Sequence, residues 1–246
     1  VDTETNSLDP HQADLVGVSL SSKIGKACYI PIGHKSNKCI EKDLVLKKLK
    51  PLLEDPSIKK IGQNIKFDFI VFFKHGINMT SMEDTMLMSY VLDAGKNRHN
   101  MDTLSKIHLN HTTIPFKDLV GTGKKEINFS EVDVEKAKDY AAEDADITFR
   151  LYKKFQKSLK DEKMINIYEI FEKPLLKILA YMEIEGVKID NKFLKSLSTK
   201  FEKKIIKIQN EVFKISKKEF NIASPKQLGE ILYNDLKIAD LKKTKK

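Results

Sequence analysis

Four acidic residues and one tyrosine stand at spacings that could support metal-dependent chemistry. Asp2 and Glu4 are two positions apart in a predicted strand, so both side chains leave the same face. Asp68 falls in the first turns of a predicted helix, while Tyr140 and Asp144 are four apart on one face of another. Carboxylates held close together repel each other and take up protons unless a cation neutralises them. Hard oxygen ligands of this kind select Mg²⁺ or Mn²⁺, and two such ions about 3.5–4 Å apart would activate a water and stabilise the leaving oxygen of a phosphodiester.

Each of these features, taken alone, also has an ordinary structural explanation. The Asp-x-Glu spacing recurs at Asp133 and Glu135, which we interpret as a solvated helix face. An acid early in a helix, such as Asp68, makes a favourable contact with the helix macrodipole. The segment 139–146 is less ordinary, because its four acids are interleaved with alanines, and clustered acids destabilise a plain surface helix unless a cation compensates. The combination favours a cation site, although spacing alone does not bring three distant segments together.

The histidines offer a second metal hypothesis, a zinc site. His108 and His111 are three apart and His99 lies upstream, but this pattern is weak without Cys or a third well-spaced ligand. We therefore interpret these histidines as structural or solvated. Cys28 and Cys39 are too few for a disulfide framework or a four-thiolate zinc site, and we interpret them as reduced thiols of a cytosolic protein.

Charge is distributed unevenly along the 246-residue chain. Residues 1–150 carry a net −1 and residues 151–246 a net +10, which together give the +9 of the whole sequence. A near-neutral half with acidic motifs, followed by a basic helical half, suits a polyanion that is held by the second half and processed by the first. The 41% hydrophobic content excludes wholesale disorder, and the longest aliphatic and aromatic run, 69–73, is too short to span a membrane.

The elements that must position the acidic residues alternate between strands and helices. We predict strands over 1–4, 14–20, 27–32 and 58–62, and helices over 42–54, 64–75, 83–93, 101–109 and 132–162. This order implies an α/β layer fold that is complete by about residue 155. Beyond it we predict only helices, over 164–185 with a break or kink at Pro174, over 191–219, and from Pro225 onward.

Three segments together resemble the exonuclease motifs of the DEDDy class: Asp2–Leu8, Gly62–Asp68 and Tyr140–Asp146. More closely, the chain resembles the 3′–5′ proofreading exonuclease domain of bacterial DNA polymerase I, the family A polymerases. Segments 83–90 and 98–102 are similar to the helices between its motifs. Later segments resemble the start of that family's polymerase domain, at the base of the thumb: 172–176, 182–190 and 220–228.

The resemblance implies a ribonuclease H-like fold, with a mixed five-stranded sheet and helices on both faces, followed by an all-α segment. It implies an exonuclease domain over 1–155 with a truncated first strand, and over 156–246 the incomplete helical start of the polymerase domain. It also implies a bacterial cytoplasmic monomer with no membrane contact, whose partners are the single-stranded 3′ end of DNA and the missing polymerase domain. No segment resembles the palm carboxylate or fingers motifs of polymerases, so we expect no nucleotide incorporation by this chain.

The resemblance further implies roles for the acidic residues. Asp2, Glu4 and Asp144 would hold a first divalent ion, and Asp2 would bridge to a second ion near Asp68. Both ions would be Mg²⁺, or alternatively Mn²⁺ or Zn²⁺. Tyr140 and Glu4 would orient the attacking water toward the terminal phosphate.

Contacts with the DNA strand are implied at several further positions. Leu8 would wedge between the last two bases, and Phe116 would stack on one of them. Other strand-contacting positions of the family fall on Gln63, Asn64, Arg98 and Met101. Phe67 departs from the family, which often has Tyr there; this removes one hydroxyl from the floor of the site and leaves every ligand in place.

Two other functions stay open. A ribonuclease D-like RNA 3′ exonuclease shares the same acidic tetrad, but the resemblance of 172–228 to a polymerase thumb base disfavours it. A catalytically silent scaffold that only binds DNA would be expected if the acids were replaced, and they are all present.

Overall fold

The computed structural model describes residues 1–35 and 39–238. The last eight residues of the predicted 156–246 segment therefore lie outside the described part of the chain. Within the described part, the strands are β1 (Asp2–Thr5), β2 (Leu15–Lys23), β3 (Lys26–Pro31), β4 (Lys60–Gly62) and β5 (Met82–Asp84).

The strands form a three-stranded antiparallel sheet, in the order β1–β2–β3, and a parallel pair of β4 and β5. Glu4 of β1 pairs with Gly17 of β2. The Val1 amine donates a hydrogen bond to the Ile61 carbonyl at 2.7 Å, which lays the start of β1 beside β4. The prediction of a mixed α/β fold is confirmed.

The helices of the first part of the chain connect and cover these strands. They are α1 (Lys42–Glu54), α2 (Ile65–Lys74), α3 (Thr85–Asp93), α4 (Met101–Leu109), α5 (Phe116–Val120) and α6 (Val134–Asp161). Two short 3₁₀ turns, Gly123–Lys125 and Phe129–Glu131, precede α6. Later come α7 (Ile165–Ile167), a π-helical turn (Tyr168–Glu172), α8 (Lys173–Glu185), α9 (Asn191–Ser216), α10 (Pro225–Gly229) and a second π-helical turn (Glu230–Asp235).

One predicted helix was wrong at its start. Residues 83 and 84, expected in a helix over 83–93, belong to β5, because Glu83 and Asp84 pair in parallel with β4. The helix begins only at Thr85, after Asp84 has capped it by accepting the backbone N–H groups of Met86 and Leu87.

The core forms where apolar residues of the sheet meet those of the helices. β2 is buried over 15–19, since helices cover both of its faces. α1 begins at the cap residue Glu41 and packs one apolar stripe, with Val45, Leu49 and Leu53 buried. A second cluster joins α3, α4 and α6 with residues that follow α6.

The chain divides into one compact unit over Val1–Gly186 and a second unit that begins at Val187. The first contains all five strands of the described residues and the helices through α8. The second contains α9 and α10, and many of its large apolar side chains are exposed. The predicted boundary near residue 155 stays a prediction. No helix in the described ranges is both long enough and apolar enough to cross a membrane.

Candidate active site

Three carboxylates that are distant in sequence meet in the structure. Asp2 and Glu4 extend from β1, and Asp144 reaches them from α6, which packs against the sheet. One carboxylate oxygen of each residue lies within 4.8 Å of the other two. Among the residues that the structure describes, no other group of three or more His, Cys, Asp or Glu side chains is arranged to hold a metal ion.

Asp68 lies beside this group and is held by Thr3, the residue between Asp2 and Glu4. Thr3 donates two hydrogen bonds to Asp68 Oδ1, from its backbone N–H at 2.8 Å and from its hydroxyl at 2.6 Å. Asp68 is buried in the first turn of α2, and the negative charge of Asp2 contributes to a raised Asp68 pKa. Asp68 therefore lies within electrostatic range of Asp2 and Glu4, but outside the group of three whose carboxylate oxygens approach within 4.8 Å.

Burial raises the pKa values of all four carboxylates. It raises the pKa of Asp2 to about 6, and burial together with the charge of Asp2 raises the pKa of Asp144 to about 8. Burial and neighbouring carboxylates also hold the pKa values of Glu4 and Asp68 well above their usual range. In addition, Glu4 Oε1 is buried and accepts no hydrogen bond from any residue that the structure describes. A buried acceptor without a donor, surrounded by like charges, is an environment that a divalent cation would neutralise.

Tyr140 lies on α6 one turn before Asp144, so the two side chains are neighbours on one face of the helix and their charges interact. Burial, followed by the charges of Asp144 and Glu4, raises the pKa of Tyr140. The phenol therefore stays protonated at neutral pH, and it can donate a hydrogen bond beside the acidic group.

Two phenylalanine rings pack beside Tyr140. Phe116 stacks on Phe129 with an interplanar angle of 7° and 6.0 Å between ring centroids. Tyr140 contacts both rings, at 5.9 Å from Phe116 and 6.1 Å from Phe129. Phe129 is 3% exposed and Phe116 is 45% exposed, so the outer ring is open to solvent while the inner ring is core.

The other predicted DNA contacts fall into exposed and packed residues. Leu8 is 96% exposed in the loop after β1, and Asn64 and Arg98 are also exposed. Gln63 donates to the His99 carbonyl at 2.8 Å and also accepts a hydrogen bond from a threonine hydroxyl. Met101 is half-buried against α6, where a threonine hydroxyl donates to its Sδ at 3.4 Å. Contact of these residues with DNA stays a prediction.

The three histidines considered as a zinc site have separate partners. His99 is hydrogen-bonded to a serine of α3, His108 packs its ring edge-on against Phe155, and His111 is paired with Glu143 at 2.8 Å. They form no ligand group within the described ranges.

Sequence reasoning missed three residues that shape the site: Thr3, Asp84 and Phe129. Thr3 was overlooked because it lies between the two strand acids and faces the other way along β1. Asp84 could have been identified from its type and place, since an Asp directly before an apolar helix is a favoured N-cap. The sequence around Phe129 contains no signal that distinguishes it from an ordinary aromatic residue of the core.

Comparison with known protein families matches residues 1–160 to a 3′–5′ exonuclease family and residues 191–246 to DNA polymerase family A. DNA polymerase I of Rhizobium leguminosarum is 41% identical over 266 residues, which cover 99% of this chain and 26% of that protein. The chain spans about a quarter of the length of the curated relatives it matches.

Solved structures share the fold. The POL domain of Pol1 from M. smegmatis, in complex with DNA primer-template and dNTP, superposes with a TM-score of 0.72 at 21% identity, covering 95% of this chain and 36% of that chain. Brucella melitensis NrnC bound to pGG superposes with a TM-score of 0.59 at 24% identity, covering 77% of this chain and 86% of that chain. These similarities confirm the predicted ribonuclease H-like fold.

Proposed function

Because the chain belongs to the 3′–5′ exonuclease family over residues 1–160, and continues with DNA polymerase family A sequence, we propose that it hydrolyses terminal phosphodiesters at DNA 3′ ends. It would do so as the proofreading part of a bacterial DNA polymerase I that acts in the cytoplasm. The main supporting observation is the meeting of Asp2, Glu4 and Asp144, with Asp68 beside them, in a buried and strongly acidic group.

The residues of this group fit divalent metal ions. Their donors are hard carboxylate oxygens, one of which is buried without a hydrogen-bond partner, and their raised pKa values show that the bare charges are unfavourable. Asp2, Glu4 and Asp144 would hold one ion, and Asp2 with Asp68 would hold a second. When bound, two such ions activate a water and stabilise the leaving 3′ oxygen.

The protein's own groups orient the reactants. The Tyr140 hydroxyl, beside Asp144, is a neutral donor that could hold the attacking water in line with the terminal phosphate. Its raised pKa makes it an orienting group rather than a base. Glu4 Oε1 has no hydrogen-bond donor among the described residues, so it is available to accept a hydrogen bond from the same water or to bind metal.

The rim of the site suits a single strand with a free 3′ end. Phe116 offers an exposed ring supported by Phe129, and Leu8 offers an exposed apolar side chain on the loop after β1. The Asn128 amide donates to the Asn6 carbonyl at 2.8 Å, which connects that loop to the turn that contains Phe129. Stacking of bases on such side chains tolerates any sequence, as removal of an arbitrary terminal nucleotide requires.

The second unit would contribute contacts with the DNA backbone. Residues 187–246 carry a net +9, from 16 lysines and 7 acidic residues, and α9 is rich in lysine. A basic surface of this kind binds phosphates without regard to sequence and raises the local concentration of DNA.

Degradation of a 3′-labelled single-stranded DNA in Mg²⁺ tests this proposal. We expect release of labelled nucleotide by the wild-type chain, its loss in EDTA, and a rate about 10³-fold lower in Asp144→Ala, since removal of a metal ligand costs several kcal/mol of transition-state stabilisation. Asp139→Ala is the matched control, because Asp139 is an exposed acid on the same helix and pairs only with a neighbouring lysine in the described structure. It should keep the wild-type rate.

The same assay separates the alternatives. Faster degradation of an RNA strand of the same sequence would favour a ribonuclease D-like function. Binding of DNA without release of label at any Mg²⁺ or Mn²⁺ concentration would favour a silent scaffold.

A further inference from the structure

Asp84 connects the starts of two helices through one buried carboxylate. The residue is 1% exposed at the end of β5. Its side chain accepts backbone N–H groups from Met86 at 2.8 Å and Leu87 at 3.3 Å, which is ordinary capping of its own helix, α3. It also accepts the N–H groups of Asn64 at 3.1 Å and Ile65 at 3.0 Å, at the start of α2.

The second pair of hydrogen bonds replaces a cap that α2 lacks. The residue before α2, Asn64, has a left-handed backbone with φ of 59° and makes no side-chain capping hydrogen bond. The first N–H groups of a helix have no partner inside it, and they are costly when buried without one. A carboxylate at this position also interacts favourably with the positive end of the helix dipole. Asp84, at the end of β5, therefore caps a helix that is separate from it in sequence.

This cap lies one helical turn from Asp68. Because successive positions of a helix are fixed relative to each other, holding Ile65 at the start of α2 sets where the Asp68 side chain points. Asp68 Oδ1 meets the N–H and hydroxyl of Thr3, at 2.8 Å and 2.6 Å. Hydrogen bonds thus connect Asp84 to the start of α2, and Asp68 on the same helix to the strand that carries Asp2 and Glu4.

Two further hydrogen bonds fix the position of Asp84 and of the start of α3. The Thr85 hydroxyl donates to the Gly62 carbonyl at 3.0 Å, which connects the start of α3 to the strand that leads into α2. The Asp84 N–H donates to the Tyr168 hydroxyl at 2.9 Å, and Tyr168 is fully buried. This second hydrogen bond fixes the Asp84 backbone, and with it the position from which the Asp84 side chain extends.

We propose that Asp84 is a positioning residue for the second metal site: by capping α2 it places the Asp68 carboxylate beside Asp2. This inference rests on the proposed function, because it assumes that Asp68 acts on a divalent ion. Asp84 itself would touch neither ion nor substrate.

Binding of Mn²⁺ to the purified chain, measured by calorimetry without any substrate, tests the proposal. We expect Asp84→Ala to weaken binding at the weaker of two sites by about tenfold, the size of effect that loss of an outer-shell partner has on metal affinity. Asp84→Asn keeps the volume and one acceptor oxygen. It should remain folded and show a smaller loss in the same direction.

Glu41→Ala is the matched control. Glu41 is also a cap carboxylate that accepts two backbone N–H groups, from Asp43 and Leu44, but its helix carries none of the proposed site residues. It should lower stability without changing Mn²⁺ affinity. Equal affinity losses in Glu41→Ala and Asp84→Ala would overturn the positioning role.

A double-mutant cycle decides whether Asp84 acts through Asp68. In an Asp68→Ala background, the further change Asp84→Ala or Asp84→Asn should have no additional effect on Mn²⁺ affinity. The same loss in both backgrounds would overturn the proposal. If the wild-type chain binds no Mn²⁺, the proposed metal site is contradicted, and this inference with it. If the wild-type chain binds Mn²⁺ and both Asp84→Ala and Asp84→Asn bind it equally well, only this inference is contradicted.

Discussion

Burial and the negative charge of Asp144, one helical turn further along α6, raise the pKa of the Tyr140 hydroxyl. The phenol is therefore a neutral donor beside the acidic group. In the proposed site, Asp144 would hold a metal ion and Tyr140 would orient the water.

Removal of this hydroxyl should affect the chemical step and leave the fold intact. We expect Tyr140→Phe to lower kcat by roughly 100-fold, as loss of a group that positions a reacting proton does, with little change in KM. Tyr152→Phe serves as the control, because Tyr152 lies on the same helix and its hydroxyl contacts Lys59 and Gln156 instead. A Tyr140→Phe chain that hydrolyses at the wild-type rate would exclude the orienting role.

The raised pKa values of the site predict an unusual dependence of stability on pH. The pKa of Asp144 is about 8 in the folded chain and near 3.8 when unfolded, so between these values the unfolded chain binds fewer protons. The free energy of unfolding without metal should therefore fall as pH rises from about 4 to about 8. Divalent ions compete with these protons, so stabilisation by Mg²⁺ should increase over the same range.

Thermal unfolding in EDTA and in excess Mg²⁺, at about pH 5 and pH 8, measures both effects. In EDTA the wild-type Tm should drop more between the two pH values than that of Asp144→Asn, which lacks one of the titrating groups. A wild-type Tm that changes with pH no more than that of Asp144→Asn would mean that this carboxyl is not protonated in the folded, metal-free chain.

Phe129 supports the exposed ring of Phe116. Its substitution should lower the rate of hydrolysis only when the terminal nucleotide has a base that can stack on Phe116. We expect Phe129→Leu to lower kcat/KM by about fivefold on a normal 3′ terminus, since an aromatic pair contributes roughly 1 kcal/mol beyond its buried area. A terminal abasic nucleotide should abolish the difference between variant and wild type. Phe73→Leu, which alters an aromatic contact with Phe69 and Tyr181 instead, is the control. Equal losses on both substrates would indicate general misfolding rather than a stacking role.

The helices that follow α6 should be needed for the first unit to fold. Tyr168 is fully buried and donates to Glu83 at 3.1 Å, and Lys173 pairs with the same buried carboxylate at 2.8 Å. A chain of residues 1–186 should unfold cooperatively, whereas a chain of residues 1–160 should be less stable by about 3 kcal/mol or more. The shorter chain would lose the buried Tyr168 ring and two partners of Glu83, which would keep its ion pair with Lys59. Denaturant unfolding of the two chains checks this, and equal stability would place the domain boundary near residue 155 after all.

The sequence predicted those parts of the site that depend on local periodicity. Asp2 and Glu4 share a strand face because side chains alternate, and Tyr140 and Asp144 are neighbours because they lie one helical turn apart. Local periodicity could not predict that these two pairs of residues lie close to each other and to Asp68. This proximity depends on how β1, α2 and α6 pack, and only the resemblance to a known family indicated it.

The errors have a similar origin. β5 has three residues and no local strand pattern; it exists because Met82–Asp84 pair with β4, more than twenty positions earlier. The capping of α2 by Asp84 was equally hidden, since it depends on the left-handed backbone at Asn64 and on a contact between separate elements. The predicted roles of Leu8, Arg98 and the other DNA contacts depend on a ligand, and they stay predictions.

Anomalous diffraction from bound Mn²⁺ would locate the proposed metal sites in the crystal. With saturating Mn²⁺, we expect one peak in contact with Asp2, Glu4 and Asp144 and a second in contact with Asp2 and Asp68, with the first absent in Asp144→Ala. Crystals of the wild-type chain that show no anomalous peak at these carboxylates would contradict the proposed metal sites.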